Sequence, residues 1–129
     1  MADEMLDASE LLALAGEIDG AAEQVVAEAF PLVKRHALEL RNQWRDNARE
    51  TARRHGKYYP RSITAEQIPD AAAVEWEIGP DSSLPQGGMG RGFEYGGARQ
   101  PPHWDGARAT RAVEPIFNAD VDALMRRFM

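Results

Sequence analysis

From Ala21 onward the apolar residues Val26, Phe30, Val33, Ala37, Leu40 and Trp44 recur at spacings that alternate between four and three, which draws a single apolar stripe down one side of a long helix. A helix so striped is not stable alone in water, so the rest of the chain has to supply a surface that covers it. The spacing predicts a helix that runs to about Arg54 and stops at His55-Gly56. Pro31 lies inside the stripe and removes one helical hydrogen bond, which predicts a kink or restart between Ala27 and Pro31. Upstream, Ser9 and Glu10 precede Leu11, Leu12, Leu14, Ala15 and Ile18, the pattern of a short amphipathic helix opened by a serine cap and broken at Asp19-Gly20.

Beyond Gly56 the period changes from helical to alternating. Ser62 to Ile68 reads as a first strand; Val74, Trp76 and Ile78 alternate with Glu75 and Glu77 as a second, half-buried strand, with Pro69-Asp70 as the turn between them. Gly79, Pro80, Pro85, Gly87, Gly88, Gly90 and Gly92 crowd the next stretch with breakers, so 79–92 is expected to be a long mobile loop without regular structure. Phe93-Glu94-Tyr95 is expected to resume as a short strand ending at Gly96-Gly97. After Gln100-Pro101-Pro102, residues from His103 to Val113 can start helical structure, and Pro115 suits the first turn of a further helix carrying Ile116, Phe117, Val121, Leu124 and Phe128. The fold class expected is α+β: a long N-terminal helix and a C-terminal helix packed on a small antiparallel sheet with a glycine-rich loop.

At 129 residues the chain fits one domain, 1–129, with residues 1–8 expected to be a flexible N-terminus. It contains no cysteine, which excludes a disulfide scaffold, a thiolate metal site and a cysteine nucleophile together. The N-terminal residues lack the basic and apolar regions of a signal peptide, and the expectation is a soluble product made in the cytoplasm. The formal charge of -6 conceals an uneven distribution. Residues 1–33 hold eight acids and no base, residues 34–61 nine bases against three acids, and residues 62–129 six bases against ten acids. A chain polarised in this way can join oppositely charged faces of neighbouring copies.

Catalytic constellations are scarce. His36, His55 and His103 lie on different expected elements and show no metal-ligand spacing, and neither Ser62 nor Ser82-Ser83 sits in a nucleophile elbow. Gly87-Gly88-Met89-Gly90-Arg91-Gly92 lacks the Lys-Ser/Thr of a phosphate-binding loop. Glu75, Glu77 and Glu94 are carboxylates on expected strands, without the contrasting environments that acid-base catalysis needs. The expectation is therefore a protein that is not an enzyme and takes no metal or cofactor. Arg41, Arg45, Arg49 and Arg53, four residues apart, form a cationic ridge near the end of the long helix. This ridge, the loop residues Leu84, Met89 and Arg91, and Trp104 are the candidates for subunit contacts. An alternative is a small nucleic-acid-binding regulator that uses the Arg41 to Arg53 face, against which stands the sequence pI near 5.0.

Val74-Glu75-Trp76-Glu77-Ile78-Gly79-Pro80-Asp81, the glycine-rich loop, Phe93-Glu94-Tyr95-Gly96-Gly97, the Pro-Pro connector and the amphipathic C-terminal segment together resemble the siphophage neck and tail-completion family, the lambda gpZ-like minor tail components. Val33-Lys34, Ala37-Leu38, Leu40 and Trp44 also fit the long N-terminal helix of that group. Many members carry a longer motif before the first strand, of which only Tyr59-Pro60-Arg61-Ser62-Ile63 remains here. The resemblance covers roughly residues 9 to 128. It implies a virion subunit of the head-tail junction or head-proximal tail end, acting as connector, tail completion protein or tail terminator. Such a subunit assembles with itself as a ring, expected to be a hexamer, and with other neck and tail proteins, and DNA passes through without specific binding. Glu75, Glu77 and Glu94 become candidates for lining that channel, where acidic walls would let DNA slide.

Overall fold

The computed structural model describes residues 4–7, 22–69 and 74–128. In chain order the elements are β1 (Glu4–Asp7), α1 (Ala22–Ala52), α2 (Tyr59–Ser62), β2 (Ile63–Gln67), β3 (Glu75–Pro80), a 3-10 turn (Gly87–Met89), α3 (Gly90–Tyr95) and α4 (Asp105–Arg126). The strands form an antiparallel sheet in the order β1-β3-β2. Its register sets Ile63 opposite Pro80, Ala65 opposite Ile78 and Glu66 opposite Glu77. The fold is α+β, as the period change at Gly56 predicts. The expected helix over residues 9–18, with its break at Asp19-Gly20, and Asp70 of the expected turn lie outside the described residues.

The long helix exists, but its buried stripe begins one residue earlier than the sequence suggests. Val25, Ala29, Val33, Ala37, Leu40, Trp44, Ala48 and Ala52 are buried, whereas Val26 and Phe30 are 38% and 39% exposed. Four of the eight buried positions are alanine, and side chains this small let another backbone come close. That neighbour is α4, which brings Ala109, Val113, Phe117 and Leu124 into the same core. Gly106 shows how tight the approach is: a Cβ there would stand 2.6 Å from the Trp44 ring. From the other side the sheet contributes Ile63, Val74, Trp76 and Ile78. Trp44, Leu40, Ile63 and Ile78 are completely enclosed, and each contributes about 1.5–3 kcal/mol through burial.

Both long helices run through a proline. Pro31 lies inside α1 and Pro115 inside α4, so neither the restart expected near Pro31 nor the new helix expected at Pro115 is present. Both prolines are exposed, as are Ala27 and Arg111, the residues whose carbonyls each proline deprives of a helical partner. Water can satisfy those carbonyls, which makes the interruption cheap. The helix α1 ends at Ala52, before the expected stop, and Arg53 takes the left-handed conformation with φ 47° that usually falls to glycine.

One buried polar contact also ties α1 to α4. His36 is enclosed beside the edge of the Phe117 ring, 5.5 Å between centroids, and its Nε2 lies 2.7 Å from Asp120 Oδ2. Arg35 donates to the same oxygen at 2.8 Å, and the His36 hydrogen bond, above the other causes, holds the Asp120 carboxyl below the usual carboxylate range.

The stretch expected to lack regular structure is built otherwise. Gly79 and Pro80 belong to β3, Gly87–Met89 form a 3-10 turn, and Phe93-Glu94-Tyr95, expected as a strand, is the second half of α3. The intervening loop is tied down by Asp81 N–H to Ser62 O at 2.8 Å and by the Gln86 side chain, which accepts from Tyr58 N–H at 2.8 Å and donates to His55 O at 3.1 Å.

Candidate docking surface

The segment from α3 to the start of α4 carries the two buried carboxylates, Glu94 and Asp105. Gly96 closes α3 with φ 80°, where a Cβ would collide with Pro102 N at 2.7 Å, and the chain turns back through a single bridge between Gly97 and Gln100. Returning, it satisfies the carbonyls left open at the end of α3: Gly96 N–H and the Gln100 amide donate to Gly92 O, His103 N–H to Phe93 O at 2.9 Å and Trp104 N–H to Glu94 O at 3.1 Å. The new helix then starts against the old one.

Two enclosed carboxylates hold this junction. Glu94 is 2% exposed; its Oε1 accepts from Gly106 N–H at 2.8 Å and its Oε2 from Ala107 N–H at 3.0 Å, so a residue of α3 caps the N-terminus of α4. Asp105 is fully buried and accepts from Thr51 Oγ1 at 2.8 Å and Arg108 at 3.1 Å, while its own carbonyl accepts from Asn47 at 3.0 Å. Burial is the main influence on the Asp105 carboxyl and pushes its pKa up, against the opposing pull of Thr51, His103 and Arg108. Burial likewise raises the Tyr59 hydroxyl, with the carboxylates of Asp105 and Glu94 adding to the effect. Tyr59, Phe93 and His103 stack in sequence beneath, at centroid separations of 4.4 Å and 5.7 Å. These carboxylates spend their acceptors on main-chain and side-chain donors that fix the junction.

On top of this foundation stands Trp104. It has φ 54° and ψ 35°, a left-handed backbone that costs a non-glycine residue about 1–2 kcal/mol, and its side chain is 44% exposed. Its indole meets Tyr95, itself 45% exposed, edge to face at 5.5 Å. The result is a two-ring aromatic step that stands partly open to solvent.

The other sequence candidates fall into separate groups. Glu94 does not line a surface: the expectation that it faces a channel from a strand is corrected by its position on α3 and its burial. Glu75 and Glu77 do lie on β3, with Glu75 half-buried and Glu77 exposed. Arg41, Arg45 and Arg49 share a face of α1, while Arg53 falls beyond its end. Arg41 donates to Asn42, Arg45 to Ile63 O at 2.8 Å and Arg49 to Asp46 at 2.6 Å. Leu84, Met89 and Arg91 are exposed, with Leu84 and Met89 near the ordered turn that Gln86 ties to Tyr58. The histidines remain apart from one another, and no group of three or more His, Asp or Glu suited to a metal occurs among the described residues.

The sequence reading missed the Glu94–Asp105 foundation. The only local signal was Asp105-Gly106 ahead of a helical pattern; the remote cap from Glu94 has none. An open groove of about 420 Å³ between α1 and α4 was also not foreseen; Ala27, Pro31, Leu32 and Leu124 line it, and the Arg127–Glu28 and Arg35–Asp120 pairs edge it. No helix among the described residues is long and apolar enough to cross a membrane. No protein-family model, no curated protein and no solved structure matches the chain.

Proposed function

We propose that this chain is a structural subunit of a tailed-phage virion, placed at the head-tail junction or the head-proximal end of the tail, which assembles with copies of itself into a ring around the DNA channel. The observation that carries this reading is Trp104. A large aromatic held half-exposed in a strained backbone, against a second exposed ring and over two buried carboxylates, is a costly arrangement for an isolated globule and a fitting one for a surface that meets another protein. The resemblance of Val74 to Gly97 and of the α1 pattern to the neck and tail-completion proteins supplies the assembly class. On this reading the work is mechanical, done by surfaces and without catalysis.

Light scattering on the purified protein, alone and mixed with tail tubes, tests the proposal. The expected result is a mass several times that of one chain, and Trp104→Gly is expected to lower association at least tenfold while leaving the subunit as stable as before, because glycine relieves the left-handed strain. A wild-type protein that stays a single chain at every concentration, with and without tail tubes, would overturn it.

A further inference from the structure

The ring reading leaves undecided what kind of partner surface meets Trp104. Along the segment from Met89 to Val113 the only carboxylates are Glu94 and Asp105, and both are buried. The exposed charges of this segment are therefore all cationic: Arg91, Arg99, Arg108 and Arg111. Arg108 is spent on Asp105 Oδ1 at 3.1 Å and on His103 O at 3.3 Å, so it belongs to the foundation. Arg91, Arg99 and Arg111 enter no ion pair among the described residues. Nor do the buried acids compete for them, because Gly106, Ala107, Thr51 and Arg108 already occupy those carboxylates.

Two of these arginines flank the aromatic step. Arg91 precedes Tyr95 by one helical turn on the same face of α3, and Arg111 follows Trp104 by two turns on the same face of α4. The Tyr95 and Trp104 rings meet at an interplanar angle of 79°, and no cation stands over either ring among the described residues. Perpendicular rings form a corner. One apolar side chain fits such a corner, whereas successive bases of a single-stranded nucleic acid lie parallel and need parallel platforms to stack on. The guanidinium groups to either side then select for carboxylates next to that apolar residue, since planar forks match carboxylate geometry.

Building on the ring reading, we infer that this surface docks an acidic segment of a partner protein, with one apolar side chain of that segment in the corner between Tyr95 and Trp104 and its flanking carboxylates on Arg91 and Arg111. Tryptophan, tyrosine and arginine are the residues that most often dominate the energetics of protein interfaces. Covering the rings also removes water from the neighbouring ion pairs, which strengthens them.

The probe is a dye-labelled synthetic peptide in which glutamates flank a single leucine, titrated with the full chain at low salt and followed by fluorescence anisotropy. Wild type is expected to bind it, and added salt to weaken the binding. Arg91→Glu with Arg111→Glu is expected to weaken binding roughly tenfold or more while circular dichroism stays unchanged, and Trp104→Gly to do the same. A second peptide with lysines in place of the glutamates is expected to bind the charge-reversed chain and not wild type. Replacing the leucine by serine in the first peptide is expected to weaken binding as Trp104→Gly does. No binding of the glutamate peptide, equal binding by wild type and the reversed chain, or a preference for a thymidine oligonucleotide over the peptide would overturn the inference. Should wild type assemble in light scattering yet fail to take the peptide, the partner chemistry falls and the ring reading stands. A chain that takes the peptide but never assembles would instead defeat the ring reading and leave the acidic-partner surface in place.

Discussion

Removing the Glu94 carboxylate tests whether the α3–α4 junction is held as described. In Glu94→Ala the main-chain N–H groups of Gly106 and Ala107 lose their acceptors at 2.8 Å and 3.0 Å in a place that is 2% exposed. A hydrogen bond to a charged acceptor contributes about 1.5–3 kcal/mol, and two lost together, with partial relief from entering water, amount to about 3–5 kcal/mol. That is a large part of the roughly 5–15 kcal/mol that holds a domain together. Urea unfolding followed by tryptophan fluorescence reads it directly, since Trp44 packs on Gly106. With a slope of about 2 kcal/mol/M, the midpoint is expected to fall by about 2 M. Glu94→Gln keeps one acceptor but turns an amide N–H₂ toward the second donor, so about half the loss is expected. A Glu94→Ala protein within about 0.5 kcal/mol of wild type would behave like an ordinary surface variant and refute the cap.

Three further outcomes are expected. Gly87→Ala would place a Cβ 1.8 Å from Asp81 O, whereas Gly88→Ala meets nothing within 4 Å; thermal melts should show the first markedly destabilised and the second unchanged, and equal melts would mean that the turn is not packed as described. Gly106→Ala drives a methyl into the Trp44 ring at 2.6 Å, so the overpacking cost of about 1–3 kcal/mol should outweigh the gain of up to about 1 kcal/mol from better helix propensity; a stabilised variant would contradict the close approach of α1 and α4. The raised Asp105 pKa means that its contribution is fully present below the unfolded carboxylate value of about 3.9 and is lost as pH rises through the folded value, so Asp105→Asn should flatten the stability curve in the window just above pH ~4, and an unchanged slope there would reject the burial effect.

The α+β layout was legible because the period change at Gly56 and the Val74, Trp76, Ile78 alternation are local signals of burial. The early part of α1 was misread for a physical reason. Phe30 is the more hydrophobic neighbour, yet Ala29 is the residue buried in the α1–α4 core. Likewise Phe93, Glu94 and Tyr95 alternate like a strand, but Phe93 and Glu94 are both buried, which a helix turn permits and a half-exposed strand does not. The glycines at 90 and 92 looked like breakers, and tertiary packing overrode their low propensity. Trp104 is legible in the sequence only as a candidate for subunit contacts; its left-handed backbone and its setting beside Glu94 and Asp105 arise only through the fold.

The core of this protein is closed by its latest long helix. Leu40 and Trp44 are made early, but Ala109, Val113, Phe117 and Leu124, which help to enclose them, come from α4. At roughly 5–20 residues per second of synthesis, the apolar side of α1 waits several seconds for its cover. Until then it is a sticky amphipathic rod, so a chain cut short before Asp105 is expected to aggregate or be taken up by chaperones.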